Sequence, residues 1–190
     1  MNFPPHHAAE PAAGDAARLL AAADEILRQG ELLLGALDAA TYARRVPAVF
    51  NASLGGHYRH CLDHFASWSR ALDADVVDYD DRRRDPRLEA DPACALAQTR
   101  ELRGMLAKLD ADALAAPIRA RCEVSYAHGA SPVTASSCGR ELAYAIAHAI
   151  HHYALIAVMA RLLEIPLPAE FGVAPSTVAH QRRPAGVEAA

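Results

Sequence analysis

Histidines are grouped in two stretches of this 190-residue chain, and both stretches have the residue pattern of helices. His57, His60 and His64 form the first group, and the second contains His148 and His152, four residues apart. Residues four apart in an α-helix lie one turn apart and about 40° apart around its axis, so this pair can reach one metal ion. We expect a third ligand from the first group, on a helix that faces the pair.

Spacing alone does not choose among His57, His60 and His64, because all three fall within about 60° of one helix face. Three neutral imidazoles around one divalent ion leave a coordination position open, which is typical of catalytic rather than structural sites. The open position can take a substrate group or a water molecule whose pKa the ion lowers. The competing interpretation of His148 and His152 is a pair of hydrogen-bonded core histidines.

Three polar residues near the histidines have both a structural and a chemical interpretation. Glu141 lies seven residues before His148, in the first helical turn, where the helix dipole favours a carboxylate. The chemical alternative makes Glu141 a general base at the metal or a hydrogen-bond partner of a ligand. Asp63 and His151 are weaker candidates for such partners.

The charged connector over residues 76–86 contains three consecutive arginines, Arg82 to Arg84. Such charge runs are typical of solvated linkers, but these arginines could also fold over the histidines and bind a substrate carboxylate. Tyr58 and Tyr144 either pack in the core or present hydroxyl groups to a pocket. Cys61 lies about 100° around the helix from the preceding histidine, which predicts an inert core thiol.

Four helices must position these residues. Leucine and alanine recur at three- and four-residue spacing, which predicts long core-facing helices. Their predicted bounds are about Asp15–Leu37, Leu54–Leu72, Pro92–Leu109 and Ser137–Glu164, with a short helical turn over Ala39–Arg45. Ser53, Asp91, and either Ser136 or Ser137, are the predicted N-caps.

A small β-hairpin is predicted before the last long helix. Residues 118–124 alternate between apolar and polar types, as a half-buried strand does. A turn at His128 and Gly129 would connect this strand to a partner over residues 132–135. The predicted fold class is therefore all-α, a four-helix bundle with a β-hairpin.

Composition agrees with a single helical domain. Hydrophobic residues make up 52% and aromatic residues only 6%, which favours a helical bundle over a β-sandwich or barrel. The net charge of -4 and the absence of a basic stripe argue against nucleic-acid binding. We predict a flexible arm over residues 1–13, the bundle over 14–165 and a tail over 166–190, of which Phe171 and Val173 pack on the bundle and the end is mobile.

The sequence predicts a soluble cytoplasmic protein. Its four cysteines, which are free of Cys-x-x-Cys spacing, argue against a disulfide framework and against a thiolate zinc site. The N-terminus has no charged region followed by an apolar run, so we expect no secretion signal. The longest apolar run is interrupted by His148 to His152, which predicts no membrane span.

Residues 14–165 resemble the DinB-like (YfiT-like) superfamily of metal-binding helical proteins. The most specific part is His148-Ala-Ile-His151-His152, which is similar to the His-x-x-His-His segment of that superfamily. In that segment the first and last histidines are ligands. The resemblance thus implies His148 and His152 as ligands, with His60, five residues after Gly55, as the third and His64 as the runner-up.

The resemblance also implies a range of functions. The superfamily includes thiol-cofactor-dependent transferases and isomerases, and its pattern often has Gly-Gln where this chain has Tyr153-Ala154-Leu155. We therefore expect a site for Zn²⁺, Ni²⁺ or Fe²⁺, since imidazole ligands suit all three. The expected activity is hydrolysis or thiol transfer on a small molecule, with a low-molecular-weight thiol as a further cofactor and a homodimer as the assembly. The alternative is a non-catalytic metal-binding bundle with a sensing, storage or interaction role.

Overall fold

The computed structural model describes residues 13–127 and 129–183 of the chain. It is mainly helical with two small sheets, which confirms the predicted helical class. Of the flexible arm predicted over residues 1–13, residues 1–12 lie outside the described residues and Ala13 begins the first helix. His128 of the predicted turn and residues 184–190 of the predicted mobile end also lie outside the described residues.

Eight α-helices and five short strands are present in the described residues. The helices are α1 Ala13–Gly35, α2 Ala39–Ala43, α3 Leu54–Arg70, α4 Arg87–Ala90, α5 Pro92–Leu106, α6 Ala111–Ala115, α7 Cys138–Leu162 and α8 Pro175–Gln181. The strands are β1 Arg45–Val46, β2 Ala52–Ser53, β3 Val76–Asp78, β4 Pro117–Arg121 and β5 Val133–Ser137. A short 3₁₀-helix over Ala71–Asp73 follows α3.

Side-chain caps fix where three of the long helices begin. The hydroxyl of Ser53 accepts a hydrogen bond from the backbone N–H of Gly56 at 2.9 Å, which starts α3. Asp91 caps α5 in the same way, and Ser137 rather than Ser136 caps α7. Each cap satisfies a backbone donor that the first helical turn leaves unpaired. The starting points of the helices that carry the two histidine groups are therefore encoded locally.

The second sheet contains the predicted hairpin and one further strand that was not predicted. β4 pairs with β5 in antiparallel register, as predicted, and also pairs with β3 in parallel register. β3 comes from the charged connector, for which no strand was predicted. The side chain of Val77 is fully buried and packs with Ile118 in a small apolar cluster. This pairing fixes the point from which the arginine segment runs back towards α3.

The main core lies between the long helices. α3 packs against α7, and α1 packs against both α5 and α7. At Gly30 of α1 the hydroxyl groups of Tyr58 and Tyr153 approach so closely that a Cβ atom would collide with both. Tyr58 exchanges a hydrogen bond with the Thr99 hydroxyl at 2.8 Å. Tyr58 is therefore a core residue and does not present its hydroxyl group to a pocket.

One helix in the described residues, α7, is long and apolar enough to cross a membrane by length and composition alone. On that criterion the expectation that its histidines interrupt the apolar run is wrong. Core helices of soluble proteins meet the same criterion, and α7 packs against α1, α3 and α6. The absence of a membrane span stays a prediction.

Candidate metal centre

Facing helices bring His60 of α3 together with His148 and His152 of α7. One ring nitrogen from each of the three lies within 4.8 Å of the other two, and all three side chains are half-buried. We call these three residues the histidine triad. The convergence follows from the sequence pattern, because His148 and His152 are one turn apart and α3 packs along the same face of α7.

Two triad nitrogens are close enough to share one proton or to bind one ion. Nε2 of His60 lies 2.9 Å from Nε2 of His148. Two nitrogens bound to the same ion at about 2.1 Å lie about 3.0 to 3.4 Å apart for bond angles between the octahedral and tetrahedral values. The observed separation needs only a slight opening to meet that range. His152 offers a ring nitrogen within 4.8 Å of both, so the three imidazoles can hold a divalent ion once their nitrogens move to this spacing, and a hydrogen-bonded histidine pair is the alternative.

The triad is neutral at physiological pH. Burial is the main cause that lowers the pKa of His60 to about 2, of His148 to about 3 and of His152 to about 4. Charge repulsion from neighbouring histidines and from Arg82 lowers them further. A neutral imidazole has a free lone pair, which is the form that binds a metal. Metal binding at pH 7 therefore requires no loss of protons from charged histidines.

His57 makes an outer contact with the triad. Its Nδ1 lies 2.9 Å from Nδ1 of His152. If His152 donates its Nδ1–H to His57, the lone pair of His152 is on Nε2, where it is available to an ion. Helical spacing alone left His57 equivalent to His60 and His64, whereas the structure makes it a neighbour of a triad member.

Arg82 makes the corresponding contact with His60, but with the opposite hydrogen-bond role. A guanidinium nitrogen of Arg82 lies 2.6 Å from Nδ1 of His60. Because a guanidinium only donates, Nδ1 of His60 accepts, and its proton is on Nε2. Nε2 then donates to His148 in the hydrogen-bonded state. For His60 to bind an ion through Nε2, this proton must move to Nδ1, and Arg82 must then turn away because a protonated Nδ1 cannot accept its hydrogen bond.

Arg82 is not fully satisfied where it lies. Its Nε is buried and has no hydrogen-bond partner among the described residues, and the same is true of Oδ2 of Asp80, two residues earlier. Burial lowers the pKa of Arg82, while attraction to Asp63 and Asp80 opposes that shift. Arg82 thus has an acidic neighbour with an unused acceptor. Arg83 and Arg84 of the same connector are exposed, so only one arginine of the run reaches the triad.

His64, the runner-up ligand, lies beside the triad. Its Nδ1–H donates to the backbone carbonyl of His60 at 3.0 Å, and its ring stacks on that of His148 with 3.9 Å between centroids. Tyr79 stacks on the same imidazole. Burial lowers the pKa of His64 to about 4. His64 is buried packing around the triad and is not one of the three converging residues.

Glu141, the predicted catalytic acid or base, is buried beside a cavity between the second sheet and α7. Its carboxylate accepts hydrogen bonds from the hydroxyl groups of Tyr79 at 2.9 Å and Ser136 at 2.5 Å. Tyr144 lines that cavity, which has a volume of about 300 Å³, and its ring centroid lies 5.7 Å from that of His148. Both hydrogen bonds hold the Glu141 carboxylate against Tyr79 and Ser136, and its role as a general base stays a prediction.

The remaining candidates do not touch the triad nitrogens. Asp63 is buried and accepts a hydrogen bond from Arg59 at 2.6 Å. His151 is exposed on the outer face of α7. Cys61 is fully buried, which raises the pKa of its thiol and agrees with the inert interpretation. The four cysteines are free, as predicted.

An open cleft of about 380 Å³ reaches the triad from outside. His57, His60 and His152 line one side of it. The other sides come from the β1–β2 turn, including Phe50, and from the pair of Arg59 and Glu89. The turn was not predicted, because its strands have two residues each and show no periodicity. A small molecule in the cleft can contact two triad members.

Comparison with known proteins adds a family to this geometry. Residues 28–156, which include the whole triad, match the family described as the DinB superfamily. The chain belongs to the DinB superfamily. This confirms the resemblance inferred from the histidine segment.

One relative among curated proteins is "FK506-binding protein 5" of Rhizopus delemar. It is 32% identical to this DinB-superfamily chain over 108 residues, which cover 57% of this chain and 28% of the relative. The chain thus spans well under half the length of that relative. No solved structure matches the chain.

Proposed function

We propose that this DinB-superfamily protein is a four-helix bundle that binds one divalent metal ion through His60, His148 and His152 and acts on a small molecule as a metal-dependent enzyme. The observation that carries the proposal is the convergence of three neutral imidazoles at an open cleft. A buried pair of core histidines would need neither the third imidazole nor the access. Imidazole ligands suit Zn²⁺, Ni²⁺ and Fe²⁺ alike.

The bound ion would supply Lewis acidity to a substrate group that reaches the open coordination position. The protein's own residues would orient the ligands and admit the substrate. His57 would accept the Nδ1–H of His152 so that Nε2 of His152 stays available, and the cleft admits a molecule beside both residues. Hydrolysis and thiol transfer both use a polarised electrophile or an activated nucleophile, and the thiol reaction would add a low-molecular-weight thiol as cofactor.

Arg82 must change its contact when an ion binds. In the hydrogen-bonded state it donates to His60, and this places the His60 proton on the nitrogen that the ion needs. Removing Arg82 from His60 also takes a positive charge away from a positively charged ion. The unused carboxylate oxygen of Asp80 offers Arg82 another acceptor. Metal binding and the position of the connector are therefore linked.

The second candidate is a non-catalytic metal-binding protein, for sensing, storage or interaction. A sealed site would favour it, and the cleft favours the enzyme instead. We further propose a cytoplasmic location, no nucleic-acid or membrane partner, and a homodimer through helix faces.

Chelation and reconstitution test the proposed function. Protein stripped with a chelator and then reloaded with one equivalent of Zn²⁺, Ni²⁺ or Fe²⁺ is assayed with nitrophenyl esters and with a thiol plus an electrophilic aryl halide. We expect turnover in one assay only after reloading, and none from His148→Ala. Equal metal content in wild type and His148→Ala would reject the site. Bound metal without turnover in either assay would favour the non-catalytic alternative.

A further inference from the structure

Phe50 occupies an unfavourable position at the mouth of the cleft. Its side chain is 93% exposed, the largest exposure of a phenylalanine in the described residues. Its backbone φ angle is 51°, and that of Asn51 is 54°. Asparagine tolerates this left-handed conformation, but for a bulky residue it is a genuine outlier. Backbone strain and an exposed aromatic ring therefore coincide at one residue.

The surrounding turn holds Phe50 in this conformation. β1 and β2 pair on either side of it, and Ala52 donates its backbone N–H to the carbonyl of Val49 at 2.9 Å. Arg45 donates a side-chain hydrogen bond to the carbonyl of Asn51 at 3.0 Å. Strained residues persist only where the structure around them fixes their conformation, and they concentrate at functional sites.

Phe50 lines the same cleft as His57, His60 and His152. The other lining residues described for that cleft are small or polar, so Phe50 is its one large apolar surface. Arg59 and Glu89 also line the cleft and form an ion pair with 3.0 Å between their closest atoms. A cleft of about 380 Å³ accommodates a small molecule rather than a peptide segment.

We propose that Phe50 contacts the substrate and that the substrate carries a planar apolar group next to the polar group that reaches the histidine triad. This inference rests on the proposed metal site and adds a substrate class to it. Stacking of the ring on a flat ligand would remove apolar surface of both from water. The left-handed turn is then a means of holding the ring over the cleft.

Two hydroxamates provide the test, because they share one metal-binding group. Acetohydroxamate carries a methyl group, and benzohydroxamate carries a planar ring. Affinities of both for the Co²⁺-loaded protein are measured from the visible spectrum of the ion. For each protein we take the ratio of its benzohydroxamate affinity to its acetohydroxamate affinity. We expect this ratio to be about tenfold higher in the wild type than in Phe50→Ala. Acetohydroxamate affinity should change less than about twofold, since the metal ligands are untouched.

Matched variants separate contact from folding. Phe50→Gly removes the ring and also relieves the left-handed strain, so its melting temperature should equal or exceed that of the wild type while the preference is lost. Leu162→Ala removes an exposed apolar side chain of α7 outside the cleft and should keep the preference. If the wild type and Phe50→Ala both bind metal and have equal ratios of benzohydroxamate to acetohydroxamate affinity, the role of Phe50 is overturned and the metal site is not. A wild type that binds no Co²⁺ would overturn the proposed function and this inference together.

Discussion

The outer contacts of His152 and His60 differ although both residues belong to the triad. Nδ1 of His152 faces an imidazole, which can accept a hydrogen bond. Nδ1 of His60 faces the guanidinium of Arg82, which can only donate. When His57 accepts the Nδ1–H of His152, the first contact leaves Nε2 of His152 free for an ion, whereas the second contact places a proton on Nε2 of His60.

This difference separates the position of a ligand from its readiness to bind. Helix spacing and helix packing set where the three imidazoles lie, and they treat His60 and His152 alike. Residues outside the helical pattern decide which nitrogen of each ring is available. With His57 as the acceptor, the α7 side needs no change of tautomer to bind an ion, whereas His60 on the α3 side must move its proton to the other ring nitrogen. Four experiments can break or sharpen this contrast.

Loss of a triad member should have the largest effect. We expect His152→Ala to weaken Zn²⁺ binding by at least about 100-fold, because two imidazoles remain to hold the ion. A competition titration against a chromogenic chelator gives the affinity. His151→Ala, an exposed neighbour on the same helix, is the matched control and should stay within about twofold of the wild type. Similar affinities for His152→Ala and His151→Ala would remove His152 from the site.

Loss of the acceptor beside His152 should come next. Outer partners of metal-bound histidines typically account for about 10- to 100-fold in metal affinity, so we expect a loss in that range for His57→Ala. His57→Gln retains a side-chain acceptor and should recover most of it. The same titration measures both variants. If glutamine and alanine behave alike, His57 acts through packing and not through its hydrogen bond to His152.

Removal of Arg82 should have a smaller effect of the opposite sign. Arg82→Met keeps the side-chain length but removes the charge and the donor that hold His60 in the unproductive proton arrangement. We therefore expect about tenfold tighter Zn²⁺ binding. Arg83→Met changes an exposed arginine of the same run and should have little effect. Weaker binding by Arg82→Met would show that Arg82 supports the metal-bound state instead.

The pH dependence of stability without metal tests whether the triad is neutral. Burial lowers the pKa of His60 to about 2 and of His148 to about 3 in the folded protein, whereas an unfolded histidine titrates near 6.5. As the pH falls below about 6.5 the unfolded chain binds these protons first, so stability present at higher pH is lost. In urea titrations with a chelator present, the urea concentration at the unfolding midpoint should therefore decrease as the pH is lowered from 7.5 to 5. His60→Ala should lose less stability than the wild type over that pH interval. An equal loss of stability would contradict the buried neutral state of His60.

Local sequence signals predicted a large part of this fold. Ser53 and Asp91 cap the helices that they were expected to cap, and the hairpin over β4 and β5 was expected from alternation. The triad members were also predicted as candidates. Helical spacing and the family resemblance can both be recognised in short segments of the sequence.

The parts that could not be predicted depend on contacts between distant residues. β3 has three residues, too few to show a period, and its pairing with β4 is set by tertiary packing. The contact of Arg82 with His60 joins residues 22 positions apart and has no local signature. The left-handed turn was equally hidden, because phenylalanine at position 50 is a poor indicator of a positive φ angle.

Anomalous X-ray scattering at the zinc edge, from crystals of the wild-type protein grown with Zn²⁺, tests the central claim most directly. The account predicts one strong peak at about 2.0 to 2.1 Å from one ring nitrogen each of His60, His148 and His152, with Arg82 turned away from His60. A map without a peak among these residues, with His60 and His148 still sharing a proton, would contradict it.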